Sequence, residues 1–304
     1  RNPGAKVIYN DGTDPAAAAK AAAGADVAVV FAHQWAAESQ DYSLTLADNQ
    51  DALIDAVGAA NAQTVVVLET GGPVLMPWLS KVGAVVEAWF PGTNGGEAIA
   101  RVLTGEVNPS GRLPITFPAS ADQLPRQTID CDPAKPDDFC DVNYDIEGAA
   151  VGYKWFDRKG HVPLFAFGHG LSYSTFGYSD LKASATGDIL TVSFKVTNTG
   201  KAAGKDVPQV YVGPRASPND GKGGWEAPRR LAGFKKVDLA PGASTTVSVT
   251  VDPRLLATFD SKAKTWNIAG GSYEVSLGAS SRDLGAKAEV TVAARTLPVS
   301  YDAK

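Results

Sequence analysis

One stretch of ten residues, His33-Gln34-Trp35-Ala36-Ala37-Glu38-Ser39-Gln40-Asp41-Tyr42, brings together an imidazole, an amide, an indole and two carboxylates. It directly follows the apolar run Val27–Phe31. Aromatic faces stack on the apolar side of a pyranose while carboxylates and amides take its hydroxyls, so this composition suits sugar binding. His33, Gln34 and Trp35 are the candidate substrate contacts. The competing reading is a surface loop whose Trp packs on a sheet and whose acids are merely solvated.

Other groups are less telling. Glu69-Thr70-Gly71-Gly72-Pro73 follows the next apolar run and can line the same edge, although Gly71-Gly72 also reads as a turn with Pro73 opening a helix. Gly92-Thr93-Asn94-Gly95-Gly96-Glu97 precedes a helical pattern but matches neither the dinucleotide nor the Walker spacing, which argues against phosphate. Gly168-His169-Gly170-Leu171-Ser172 places His near Ser without a nucleophile elbow, so His169 reads as a packing or hydrogen-bonding residue and His161 as a turn residue. No Cys-x-x-Cys pair exists and the three histidines lack ligand spacing, so neither a metal nor any other cofactor is expected. Cys131 and Cys140 bracket an acidic, Pro-rich loop. A local disulfide is favoured over two free thiols, and it points to a periplasmic or secreted setting.

The elements that must hold the ten-residue loop alternate between short β-branched runs and Ala-rich helical stretches. Val7–Tyr9, Val27–Phe31, Thr64–Leu68, Ala84–Ala88 and Leu113–Phe117 read as strands. Pro15–Ala23, Asp48–Ala60, a short piece in Pro73–Lys81, and Asn94–Thr104 stopped by Gly105 read as helices. Continuous apolar strands separated by helices predict a mostly parallel α/β sheet covered on both faces, with ligands beyond the carboxyl ends of its strands. Residues 119–187 are rich in Asp, Pro and Gly and read as a linker and inter-domain segment. From 188 to 304 the pattern is all-β: Leu190–Thr197, Asp206–Val212, Arg229–Val237, Ser244–Val251, Trp266–Ala269, Ser272–Leu277 and Ala288–Ala293 alternate apolar and polar residues. Asn198-Thr199-Gly200, Pro241-Gly242 and Gly270-Gly271 supply turns, which predicts an immunoglobulin or fibronectin III-like sandwich. The domain reading is therefore an α/β unit over 1–118, the linker, and the β-sandwich.

Composition bounds the function. With 304 residues, 44% of them hydrophobic, the chain can bury two cores. A net charge of -5 with no basic stripe argues against nucleic acid and acidic membrane surfaces as partners. The chain opens at Arg1 and its only methionine is Met76, so it reads as a product from which a preceding segment has been removed.

Several segments resemble the carboxyl-terminal part of glycoside hydrolase family 3. The most specific are Asn108-Pro109-Ser110-Gly111-Arg112-Leu113-Pro114-Ile115-Thr116-Phe117-Pro118 and Pro163-Leu164-Phe165-Ala166-Phe167-Gly168-His169-Gly170-Leu171-Ser172-Tyr173. Gln50-Asp51-Ala52-Leu53-Ile54, Trp89-Phe90-Pro91-Gly92, Val196-Thr197-Asn198-Thr199-Gly200 and Leu231-Ala232-Gly233-Phe234 follow in the family's order. The resemblance implies a retaining, exo-acting β-glycosidase similar to β-glucosidases, needing no cofactor. The nucleophilic aspartate of such enzymes sits on an amino-terminal (β/α)8 barrel that this chain does not contain. The barrel portion would then be its partner, a glycoside or oligosaccharide its substrate, and the chain inactive without it. The family's general acid/base is commonly a Glu before a Leu-x-Leu segment. Leu44-Thr45-Leu46 follows Glu38, so the resemblance assigns that role to Glu38. The loop is about one residue short of the family pattern, and the usual acidic-basic pair reads Asp41-Tyr42, which keeps Asp41 as a rival. A non-catalytic carbohydrate-binding or scaffold module is the competing reading of the whole chain.

Overall fold

The computed structural model describes residues 3–38, 43–127, 143–187, 189–215 and 225–300. The chain forms two compact units, one made of Arg1–Val107 with Phe117–Asn143, the other of Asn108–Thr116 with Tyr144–Lys304. Cys131 and Cys140 lie outside the described residues.

The first unit is α/β. Helix α1 (Pro15–Ala23) starts where Asp14 accepts from the backbone N–H groups of Ala16 and Ala17, with Pro15 in the first turn. Strands β1 (Ala28–His33), β2 (Thr64–Glu69) and β3 (Ala84–Glu87) form a parallel sheet in that order. Helices α2 (Gln50–Ala60) and α3 (Gly95–Leu103) connect and follow them, and Gly105, at φ 74°, stops α3. Central β2 carries the core, with Val66, Val67 and Leu68 wholly buried, as are Ile54 of α2 and Trp78. The Trp78 indole N–H donates to Asp51 at 2.8 Å, so the largest core side chain keeps its polar atom satisfied.

Three expected elements of this unit differ. Val7–Tyr9 is irregular and exposed, with no strand beside it among the described residues. In Pro73–Lys81 only a 3-10 turn, Leu79–Lys81, forms. Val74, Met76 and Trp78 are buried ahead of it, and Pro77 has no N–H to give a helix. Leu113–Phe117 does not close the sheet. Pro114 interrupts it, and the Leu113 backbone instead exchanges hydrogen bonds with Gly168 and His169 in the second unit. The parallel sheet is also not covered on both faces within this unit, because Val29 and Phe31 of edge strand β1 stay exposed while Val30 and Ala32 are buried.

The second unit contains helix α4 (Tyr153–Lys159), closed by Gly160 at φ 69°, followed by antiparallel sheets. Among these, one sheet orders Ser244–Val251, Ile189–Asn198 and Phe176–Thr186, and another orders Leu284–Val292, Gly271–Gly278, Gln209–Pro214 and Arg230–Phe234. Their inward residues, among them Val192, Phe194, Val196, Val210, Val212, Val275 and Leu277, make one core. The expected strand Asp206–Val212 is broken at Pro208 into Gly204–Asp206 and Gln209–Pro214. Phe176–Thr186 is a strand within what the sequence presents as linker. A bulge at Asp180, φ 57°, shifts the inward set from Phe176 and Tyr178 to Leu181 and Ala183, which hides the alternation. Among the described residues no helix is long and apolar enough to cross a membrane.

Candidate active site

The carboxyl ends of β1, β2 and β3 form one edge, in the register His33 opposite Glu69 and Leu68 opposite Glu87. Gln34 continues from β1, and its backbone N–H donates to the Glu69 carbonyl at 3.1 Å. The chain then leaves the sheet as the loop of Trp35, Ala36, Ala37 and Glu38. Parallel sheets concentrate ligand contacts at this end.

Three sets of hydrogen bonds fix that loop. Buried Gln34 donates through Nε2 to the carbonyls of Ser43 at 2.7 Å and Thr45 at 3.5 Å, holding the two arms together. Gln50, at the start of α2, accepts from the His33 N–H at 2.7 Å and donates to the His33 carbonyl at 2.9 Å and the Ala47 carbonyl at 3.0 Å. The Leu44 carbonyl accepts from the Leu75 N–H at 2.7 Å, and Leu46 is buried beneath. On this frame Trp35 is 66% exposed, so its indole is presented rather than packed away. Glu38 and His33 are exposed as well. Asp41 lies outside the described residues.

Behind the loop, Glu87 ends β3. Its Oε1 accepts from the Trp89 N–H at 3.0 Å, and Thr70 Oγ1 lies 3.4 Å from both carboxyl oxygens. Burial pushes this carboxyl up to about 7, against the smaller opposing pull of the Trp89 N–H and of Thr70. Thr70 is itself wholly buried and donates to the Gly72 carbonyl at 2.7 Å. Gly71 allows the close approach of its neighbours. A Cβ there would sit 2.8 Å from Ala36 Cβ and 3.2 Å from the Phe90 ring.

Gln50, Thr70 and Glu87 lie in segments that the sequence marks without giving any of them a role of its own. A signal for Glu87 exists: a lone carboxylate ending the apolar run Ala84-Val85-Val86, two residues before Trp89-Phe90. The other histidines sit in the second unit. His169 stacks on Phe165 with centroids 5.3 Å apart, and burial, reinforced by Arg112, holds its pKa below the usual imidazole value. His161 packs edge-on to Phe156 and accepts from Arg282 through its carbonyl. Among the described residues no group of His, Cys, Asp and Glu is arranged to hold a metal ion.

Comparisons with known proteins agree in one direction. Residues 5–173 match the model of the glycosyl hydrolase family 3 C-terminal domain, and residues 206–281 that of the fibronectin type III-like domain. Beta-glucosidase B of Emericella nidulans is 42% identical over 290 residues, which covers 89% of this chain and 33% of that protein. Thermostable beta-glucosidase B of Acetivibrio thermocellus is 42% identical over 297 residues, 94% of this chain and 38% of its own length. The chain thus spans about a third of the length of these curated relatives. The crystal structure of DesR, a beta-glucosidase from Streptomyces venezuelae in complex with D-glucose, superposes with a TM-score of 0.80 at 41% identity, over 91% of this chain and 35% of DesR. Beta-glucosidase 3B from Thermotoga neapolitana, in complex with alpha-D-glucose, gives 0.81 at 33% identity, over 97% and 42%.

Proposed function

Since the chain belongs to glycoside hydrolase family 3, as the family's carboxyl-terminal portion, we propose that it supplies the general acid/base half of a retaining, exo-acting β-glucosidase. The nucleophilic aspartate comes from a (β/α)8 barrel with which this portion works, and the chain alone hydrolyses nothing. The observation that carries the reading is Glu38, an exposed carboxylate on a loop pinned at the carboxyl edge of the parallel sheet, three residues beyond the exposed Trp35.

Retaining hydrolysis needs two carboxyl groups about 5–5.5 Å apart, one ionised to attack the anomeric carbon and one protonated to assist the leaving oxygen. In the second step the latter accepts a proton from water as that water attacks the glycosyl-enzyme. Exposed on its loop, Glu38 is accessible to a barrel that would desolvate it on docking and raise its pKa toward what an acid catalyst requires. Trp35 offers a stacking platform for the leaving-group sugar, His33 a polar flank, and Gln34 the brace that keeps both in place. Asp41 is the second candidate for the acid/base, because the loop is shorter than the family pattern.

In the full-length enzyme Glu38→Ala is expected to lower kcat on alkyl β-glucosides by roughly 10²–10⁴-fold. Wild-type rates in that variant, with the loss appearing in Asp41→Ala instead, move the role to Asp41. A complete, barrel-containing protein that binds glycans and cleaves no aryl β-glucoside establishes the non-catalytic module instead.

A further inference from the structure

Trp89 adopts a left-handed backbone, φ 53°. For a bulky L-residue this conformation is unfavourable and persists only where the surroundings enforce it. The enforcing group is Glu87, whose carboxyl accepts the Trp89 N–H from two residues back. The turn then delivers Phe90, whose ring is 59% exposed and so is aimed by its backbone more than by burial. That ring meets the backbone at Gly71, and Gly71 in turn meets Ala36, the residue between Trp35 and the Ala37-Glu38 end of the loop. Neither contact has room for one added carbon.

We propose that Glu87 is a positioning residue: by holding the left-handed turn at Trp89 it sets Phe90 against Gly71, the residue that abuts Ala36, and thereby fixes the loop that carries Trp35 and Glu38. The proposal rests on the reading of Glu38 as acid/base only for its catalytic consequence. Acceptor capacity is what the position uses. Glu87 Oε1 takes the Trp89 N–H, and the Thr70 hydroxyl faces both carboxyl oxygens at 3.4 Å. A glutamine side-chain oxygen can accept the same N–H; alanine offers no acceptor.

The test uses Glu87→Ala and Glu87→Gln in the full-length enzyme, with Glu38→Ala as the control. Hydrogen exchange reads the loop directly. Glu87→Ala is expected to speed exchange of the amides at 35–38 by about tenfold or more while those of α2 hold, and Glu87→Gln to leave them near wild type. Unchanged exchange at 35–38 in Glu87→Ala overturns the proposal, as does equal loosening of α2, which marks a general loss of structure. Kinetics then read the consequence. Glu87→Ala should lower kcat/KM, which reports the glycosylation step, about tenfold on an alkyl β-glucoside and less than about twofold on a dinitrophenyl β-glucoside, whose leaving group needs no proton; Glu87→Gln should restore the alkyl value. Equal losses on both substrates, with Glu38→Ala separating them, overturn it. If exchange responds but Glu38→Ala fails to separate the substrates, positioning stands and the role given to Glu38 falls.

Discussion

At the scale of single residues, two carboxyls at one sheet edge sit in opposite surroundings. Glu38 is exposed on its loop. Glu87 is already largely withdrawn from water, which pushes it up to about 7 from an ordinary 4.5. That shift carries a stability consequence with a definite sign. Between about 4.5 and 7 the folded chain holds a proton at Glu87 that the unfolded chain has released. Stability therefore falls as pH rises through this window and levels off above it. Glu87→Gln, which cannot titrate, should flatten that part of the Tm-against-pH curve and be relatively more stable than wild type above pH 7. Thermal melts at half-unit pH steps check this; an unchanged slope places the carboxyl in water.

At the scale of elements, the site is a set of pinned chain ends. Gln50 belongs to α2 but holds the end of β1 by a reciprocal pair of bonds with His33, so the helix fixes where the loop departs. Gln50→Ala should cost about 1–2 kcal/mol in urea unfolding, since water can partly replace these exposed bonds. Its effect on kcat should be larger, up to about 10²-fold, because a small displacement of a catalytic loop is disproportionately costly. Loss of stability with full activity contradicts the role assigned to Gln50. Much of this architecture is legible in the sequence. Pro15–Ala23 is bounded by its own cap and proline, and Thr64–Leu68 by its unbroken β-branched run. What escapes reading is long-range. The Asp180 bulge destroys the alternation of Phe176–Thr186, and Leu113 pairs within the second unit with partners more than fifty residues away. Glu87 shows the same limit at the site: what it does depends on Thr70, just past the end of β2, and on a backbone angle at Trp89.

At the scale of the molecule, each unit has its own interior to hold together. In the second unit Asp206, 1% exposed, is held by the Arg112 guanidinium and accepts from the Tyr178 hydroxyl at 2.7 Å, while Arg112 also donates to the Gly170 carbonyl. This network ties the motif Asn108–Thr116 to the β-sandwich. Arg112→Leu leaves a buried carboxylate uncompensated and should destabilise this unit by about 3–5 kcal/mol, read by chemical unfolding. A loss under 1 kcal/mol means that water reaches Asp206 freely. In the proposed division of labour the nucleophile lies elsewhere and this chain supplies the proton. The most direct measurement of that claim is azide rescue in the full-length Glu38→Ala enzyme turning over a dinitrophenyl β-glucoside. If Glu38 is the acid/base, azide attacks the glycosyl-enzyme without needing a base, the rate rises, and the product is the β-glucosyl azide, with net retention. An absence of rescue together with wild-type turnover, or an α-azide product, contradicts the account.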